Sequence, residues 1–206
     1  MERITADSVR SGSRLKEAKL LRALTVPPVM ALMLITILYI GLGAEAFVTP
    51  THYFAAVFAL TLLPVLPYPL CAAIPTLKRK GRKLERGLAI GFSLLGYVLG
   101  LLLALLGGGT EIEKILFLTY TISGALTGIM TFVVRYKTSG HACGASAPFV
   151  LLAISLSPWW LLGCFALIPI FNASIQLGRH TLGQLFAGAC VSVAALFIAL
   201  RFVTLL

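Results

Sequence analysis

Two of the three histidines are placed where an imidazole can do chemistry. His141 ends the polar stretch "VVRYKTSGH" at 133–141, and His180 ends the shorter "LGRH"; each follows basic and small polar residues and opens an apolar run. An ionisable side chain at the mouth of an apolar helix is a functional signal, and two on one face sharpen it. His52 stands apart, at the opposite interface, with no role assigned to it.

From residue 86 to the end the only acids are Glu111 and Glu113, both on that opposite face. A Ser-His-Asp triad needs an acid, and a metal centre needs carboxylates or clustered His ligands, so neither can be assembled around His141 and His180. What surrounds them is a Ser139-Gly140 turn at a helix start and a set of cations: Lys78, Arg79, Lys80, Arg82, Lys83, Arg86, Arg135, Lys137 and Arg179. Helix N-termini hold phosphate oxygens and Arg adds bidentate contacts, so the combination suits a phosphate ester. One imidazole would attack phosphorus to give a phospho-histidine while the other protonates the leaving oxygen, without a metal or a cofactor. The plainer alternatives are hydrogen-bonded interfacial rings for the two histidines, and solvated, orientation-setting charges for Lys78, Lys80, Arg82 and Lys83.

The elements that must position these residues are membrane helices. In a chain of 206 residues, 59% are hydrophobic and 12% charged, with mean hydropathy +0.98, which is more apolar surface than a water-soluble core can hide. The expected fold is an all-α, polytopic transmembrane bundle of six or seven helices. Seven are preferred: Val26–Leu42, Tyr53–Ile74, Leu88–Leu106, Ile115–Val134, Ala142–Ser157, Trp159–Ala173 and Thr181–Leu206. Two parts follow, a basic amphipathic segment at 1–25 and a transmembrane domain at 26–206. In the first, Leu15, Leu20, Leu21 and Leu24 lie among Arg14, Lys16, Lys19 and Arg22, as in a helix resting on anionic headgroups.

The basic residues of 1–25 and of "KRKGRKLER" (78–86), set against Glu45, Glu111 and Glu113 in other loops, place the N-terminus and both candidate histidines on the cytoplasmic side by the positive-inside rule. Cys71, Cys143, Cys164 and Cys190 are scattered singly and read as small apolar filler. Gly87, Gly91, Gly96, Gly100, Gly124 and Gly128 recur at helical spacing and read as close helix packing. The net charge of +10 calls for anionic partners, a bilayer surface and a lipid phosphate. Nucleic acid is not expected, because the bases border apolar spans and lack interleaved aromatics.

Three short motifs between residues 79 and 188 resemble the type 2 phosphatidic-acid phosphatases, the family of lipid phosphate phosphatases, dolichyl diphosphate phosphatase and vanadium haloperoxidases. The first family motif, Lys, six residues, Arg-Pro, is met by Arg79 and Arg86, with Arg for Lys and Gly87 for Pro. The second, Pro-Ser-Gly-His, is met by Thr138, Ser139, Gly140 and His141. The third, Ser-Arg, five residues, His, three residues, Asp, is met by His180, with Gln184 for Asp as in the dolichyl enzyme and Ser174 where the family has Arg. The resemblance implies a nucleophilic His180, a general acid His141, phosphate ligands Arg79, Arg86, Ser139 and Gly140, and an orienting Gln184. Lys137 or Arg179 would supply the cation missing at Ser174. The substrate so implied is a polyprenyl or isoprenyl mono- or diphosphate, with phosphatidic acid or a glycerophosphate lipid second. A lipid-phosphate binder or transporter, and a non-catalytic relative of the family, are the competing classes.

Overall fold

The computed structural model describes residues 2–205, with side chains from residue 13 onward, and is helical throughout with no strand among the described residues. Helix α1 (Glu2–Leu24) leads into α2 (Pro27–Leu42), whose first turn carries Pro27 and Pro28, where a missing N–H costs nothing. A second span is assembled from α3 (Pro50–Val57), a π turn at Phe58–Leu62, α4 (Leu63–Val65) and α5 (Pro67–Ala73), and it bends by 41°. Prolines at 64 and 67 and the π turn account for that bend, since each removes or displaces an i to i−4 bond. The short α6 (Pro75–Lys78) follows, then α7 (Gly81–Leu106), α8 (Glu111–Phe132), α9 (Gly140–Ser155), a 3-10 helix at Pro158–Ala166, α10 (Leu167–Gln176) and α11 (Leu182–Val203).

Five helices are long and apolar enough to cross a bilayer, and a sixth span is obtained if the bent pair is counted as one. The chain is a multi-pass helical bundle. The expected fifth span, α9, has 16 residues, about 24 Å, and falls short of a full crossing by length. It nevertheless runs alongside α2: a Cβ on Gly144 would meet Pro27, and one on Gly41 would meet Leu156, so both ends of the two helices are matched. The expected sixth span begins as the 3-10 helix because Pro158 and the extended Ser157 stop α9; the 2 Å rise per residue of that form stretches Pro158–Gln176 to about 33 Å.

The main core joins Leu34, Ile35 and Leu38 of α2 with Phe47, Leu60, Leu116, Phe117, Leu152 and Leu196. A second cluster, Met30, Ala142, Ala145, Phe149, Ile170, Phe171 and Leu185, ties together α2, α9, α10 and α11. Small residues permit the closest helix contacts: a Cβ on Gly100 would overlap the Phe117 ring, one on Gly96 the Ala59 carbonyl, and one on Gly124 would come within 2.9 Å of Leu94. The packing expectation holds for these three and not for Gly87, Gly91 and Gly128, which face open space. All four cysteines are free, and only Cys71 and Cys143 are buried.

At the end of the bundle away from His141 and His180, Glu113 is 1% exposed and fully bonded. Its Oε1 lies 2.8 Å from His52 Nδ1, and its Oε2 accepts the Thr110 N–H at 2.8 Å in a capping box that starts α8. Thr110 in turn donates its hydroxyl to the Ala46 carbonyl at 2.7 Å. His52, given no role by sequence, is therefore a structural partner of Glu113. Its only acid neighbour was in another loop, so spacing along the chain could not reveal the pair.

Candidate functional site

Three turns meet at the other end of the bundle, and each has a local reason for its shape. The first leaves α8 at Val133 and reverses at Arg135, whose φ of +58° lies in the left-handed region disfavoured for a side chain. It brings Lys137 Nζ to 3.5 Å from the Arg179 carbonyl, and Thr138 and Ser139 into the interior. The Ser139 N–H donates to the Gln184 carbonyl at 3.0 Å, and its hydroxyl caps α9 by accepting the Ala142 N–H at 3.3 Å. Gly188 allows this turn to sit on α11, since a Cβ there would collide with the Ser139 carbonyl.

The second turn ends α10. Gly178, at φ +61°, lets its own N–H reach the Ile175 carbonyl at 2.9 Å and the Arg179 N–H reach the Ser174 carbonyl at 3.0 Å, the paired bonds of a Schellman stop. Directly after it, His180 precedes the N-cap Thr181 of α11, where Thr181 and Gln184 form a second capping box. Gln184 Oε1 accepts the Thr181 N–H at 3.3 Å and also contacts His180 Nδ1 at 3.2 Å. An amide oxygen can only accept, so His180 carries its proton on Nδ1 and leaves the Nε2 lone pair free. The orienting contact expected of Gln184 is present. Its capping role was missed, although Thr-x-x-Gln is legible as a capping signal.

The third turn joins α1 to α2. Thr25 Oγ1 donates to the Leu21 carbonyl at 2.7 Å, which uses its only proton, so it accepts from His141 Nε2 at 2.9 Å. Nε2 of the neutral His141 ring therefore bears the proton. The inward face of α1 is Ala18, Leu21, Arg22 and Thr25, packed on α10, while Leu20 and Leu24 are exposed. Arg22 Nη1 donates to the Ser174 hydroxyl at 2.6 Å. By sequence Arg22 belongs only to a lipid-facing helix, and its pairing with Ser174 carries no local signal.

His141, His180, Arg22, Lys137 and Arg179 thus share one electrostatic neighbourhood. Burial pushes the His180 imidazole below its ordinary value, with Lys137 and Arg22 adding to the depression and the Gln184 hydrogen bond opposing it. Burial, then Arg179, also lowers Arg22, which remains a cation. Arg22 and His180 lie within electrostatic range of His141. Among the described residues the one contact between a carboxylate and a basic side chain is the remote Glu113–His52 hydrogen bond, so no carboxylate balances these charges. The Thr138 hydroxyl, in a residue 6% exposed, has no hydrogen-bond partner among the described residues. Among the described residues no three His, Cys, Asp or Glu side chains are grouped to hold a metal ion.

The structure therefore gathers His141, His180, Lys137, Ser139, Gly140, Arg179 and Gln184. Arg79 ends α6 and Arg86 lies in the first turns of α7; both side chains are exposed and make no hydrogen bond to this group. Helix α6 packs chiefly on α5 and α7, which keeps the basic loop on its own flank. Compared with known proteins, the chain matches no family model, no curated protein and no solved structure.

Proposed function

We propose that the protein is a membrane-embedded lipid phosphate phosphatase that works without a metal, with its site on the cytoplasmic side and an isoprenyl or polyprenyl phosphate as first substrate. The observation that carries this reading is the pair of histidines in opposite states of restraint, among cations with no carboxylate partner among the described residues. His180 is oriented by Gln184 with Nε2 free, while His141 is held through Nε2–H by Thr25.

In the proposed reaction His180 Nε2 attacks phosphorus as the bond to the leaving oxygen breaks. That oxygen takes a proton from the imidazolium form of His141, which the arriving phosphate dianion favours. Because Nε2–H is engaged by Thr25, the transferable proton is the one on Nδ1. Water then attacks the phospho-histidine, gives its proton back to His141 and releases inorganic phosphate and free His180. Cations and the N–H groups at the start of α9 stabilise the oxygens in both steps. The tail of the substrate lies among the lipid-exposed helices.

The test is phosphate release by the purified protein in detergent with EDTA present. Isoprenyl diphosphate, isoprenyl monophosphate and phosphatidic acid are compared, beside His180→Ala. Release that survives chelation and is lost by at least about a hundredfold in the variant is expected. A folded protein that releases phosphate from none of them would sink the enzyme reading and leave a lipid-phosphate binder.

A further inference from the structure

We infer that Arg22, on the helix ahead of the first span, is a phosphate-binding residue of the site, so that α1 forms one wall of the anion pocket. This rests on the phosphatase reading above and adds to it a residue and an element.

The placement of Arg22 removes part of its charge from solvent with no carboxylate among the described residues to offset it. It occupies the inward face of α1 with Ala18, Leu21 and Thr25, where an apolar side chain would pack against α10 without desolvating a charge. Arg179 and the two imidazoles lie within electrostatic range of it, and among the described residues it has no carboxylate partner. Its bond to Ser174, which is 0% exposed, uses one of five N–H donors and fixes the guanidinium while leaving the others to a ligand.

Independent observations point to the same space. One turn after Arg22, Thr25 fixes His141, so the end of α1 presents a cation and orients an imidazole together. At the start of α9, the Gly140 and His141 N–H groups, ahead of the Ala142 N–H that Ser139 caps, and the buried Thr138 hydroxyl, unpartnered among the described residues, add further donors. A tetrahedral dianion is the ligand chemistry that answers a fork of N–H donors, a helix start and surplus positive charge at once. A purely mechanical role, pinning α1 to α10 through Ser174, explains the hydrogen bond and leaves the missing counter-charge without a reason.

The experiment is binding of inorganic phosphate, and in a parallel arm of phosphatidic acid in the micelle, to the full-length protein by calorimetry. Arg22→Gln, Arg22→Lys, Ser174→Ala and Lys16→Gln are compared, with helicity and dispersity checked by circular dichroism and gel filtration. Arg22→Gln is expected to weaken whichever arm binds by about tenfold or more, and Arg22→Lys to recover part of the loss. The exposed Lys16→Gln should change binding less than threefold, and Ser174→Ala, which frees the guanidinium without removing it, should cost less than Arg22→Gln. Arg22→Gln that is folded and binds as tightly as wild type overturns the inference while the phosphatase reading stands. If Arg22→Gln fails to fold, Arg22→Lys with Ser174→Ala decides: equal losses in both mean a pin. Wild-type protein that binds neither ligand removes the phosphate reading, and Arg22 with it.

Discussion

Replacing Gln184 with glutamate puts a carboxylate where the amide oxygen now contacts His180 Nδ1 at 3.2 Å and receives the Thr181 N–H at 3.3 Å. Both bonds survive, because a carboxylate accepts as the amide oxygen does, and the helix start is kept. What changes is the charge. At about 4 Å, unit charges interact by about 1 kcal/mol in water and about 4 kcal/mol at the effective dielectric of a protein surface. His180 and Gln184 are both half-buried, so the lower part of that range applies, about 1–2 kcal/mol, or roughly one pH unit. In the wild type, burial holds His180 below the usual imidazole value of about 6.5. A protonated ring has no lone pair, so the rate falls as pH drops through that lowered value, and the acid limb of the profile lies below pH 6.5. The glutamate favours the protonated form and moves the limb to higher pH by about one unit. If His180 is the nucleophile, its greater basicity keeps or raises the rate on the plateau. The assay is phosphate release against pH in one detergent, wild type beside Gln184→Glu. A folded variant whose acid limb coincides with that of the wild type would show that His180 is not the group whose deprotonation permits attack.

Three other outcomes follow from the packing. Gly188→Ala drives a methyl into the Ser139 carbonyl, and should lower stability by about 1–3 kcal/mol and cut turnover, whereas Gly128→Ala, inside α8 and facing open space, should raise stability by up to about 1 kcal/mol and leave activity unchanged. Glu113→Ala strands the Thr110 N–H and His52 at the far end, and should cost about 3 kcal/mol while turnover per folded molecule is unchanged; an unaltered melting temperature would discount that network. Arg79→Gln and Arg86→Gln remove exposed charges unconnected to the histidines, and should change turnover in micelles by less than about fivefold. A larger loss would bring the basic loop into the phosphate site.

Composition was enough for the helical class, and the spans Gly81–Leu106, Glu111–Phe132 and Leu182–Val203 coincide with runs that any apolar count finds. The fifth and sixth spans were harder because their reasons are not compositional. A 16-residue helix is stabilised by matching α2 at both ends, and a 3-10 stretch gains length from its rise rather than from more residues. The candidate site divides the same way. Ser139, His141, His180 and Gln184 sit within two short segments whose turn residues can be read in order, and these segments do meet, through the Ser139 N–H and the Gln184 carbonyl. The basic loop at 78–86 stood out by its charge and by the Arg79–Arg86 spacing, and charge near a membrane answers to orientation before it answers to a site. Arg22 shows the converse. Its partner Ser174 is 152 positions away, neither residue is unusual in its own segment, and only the docking of α1 on α10 makes them neighbours. A serine at 174 looked like a missing cation because the sequence was read along one helix; in three dimensions that serine is the acceptor that fixes a guanidinium delivered by another.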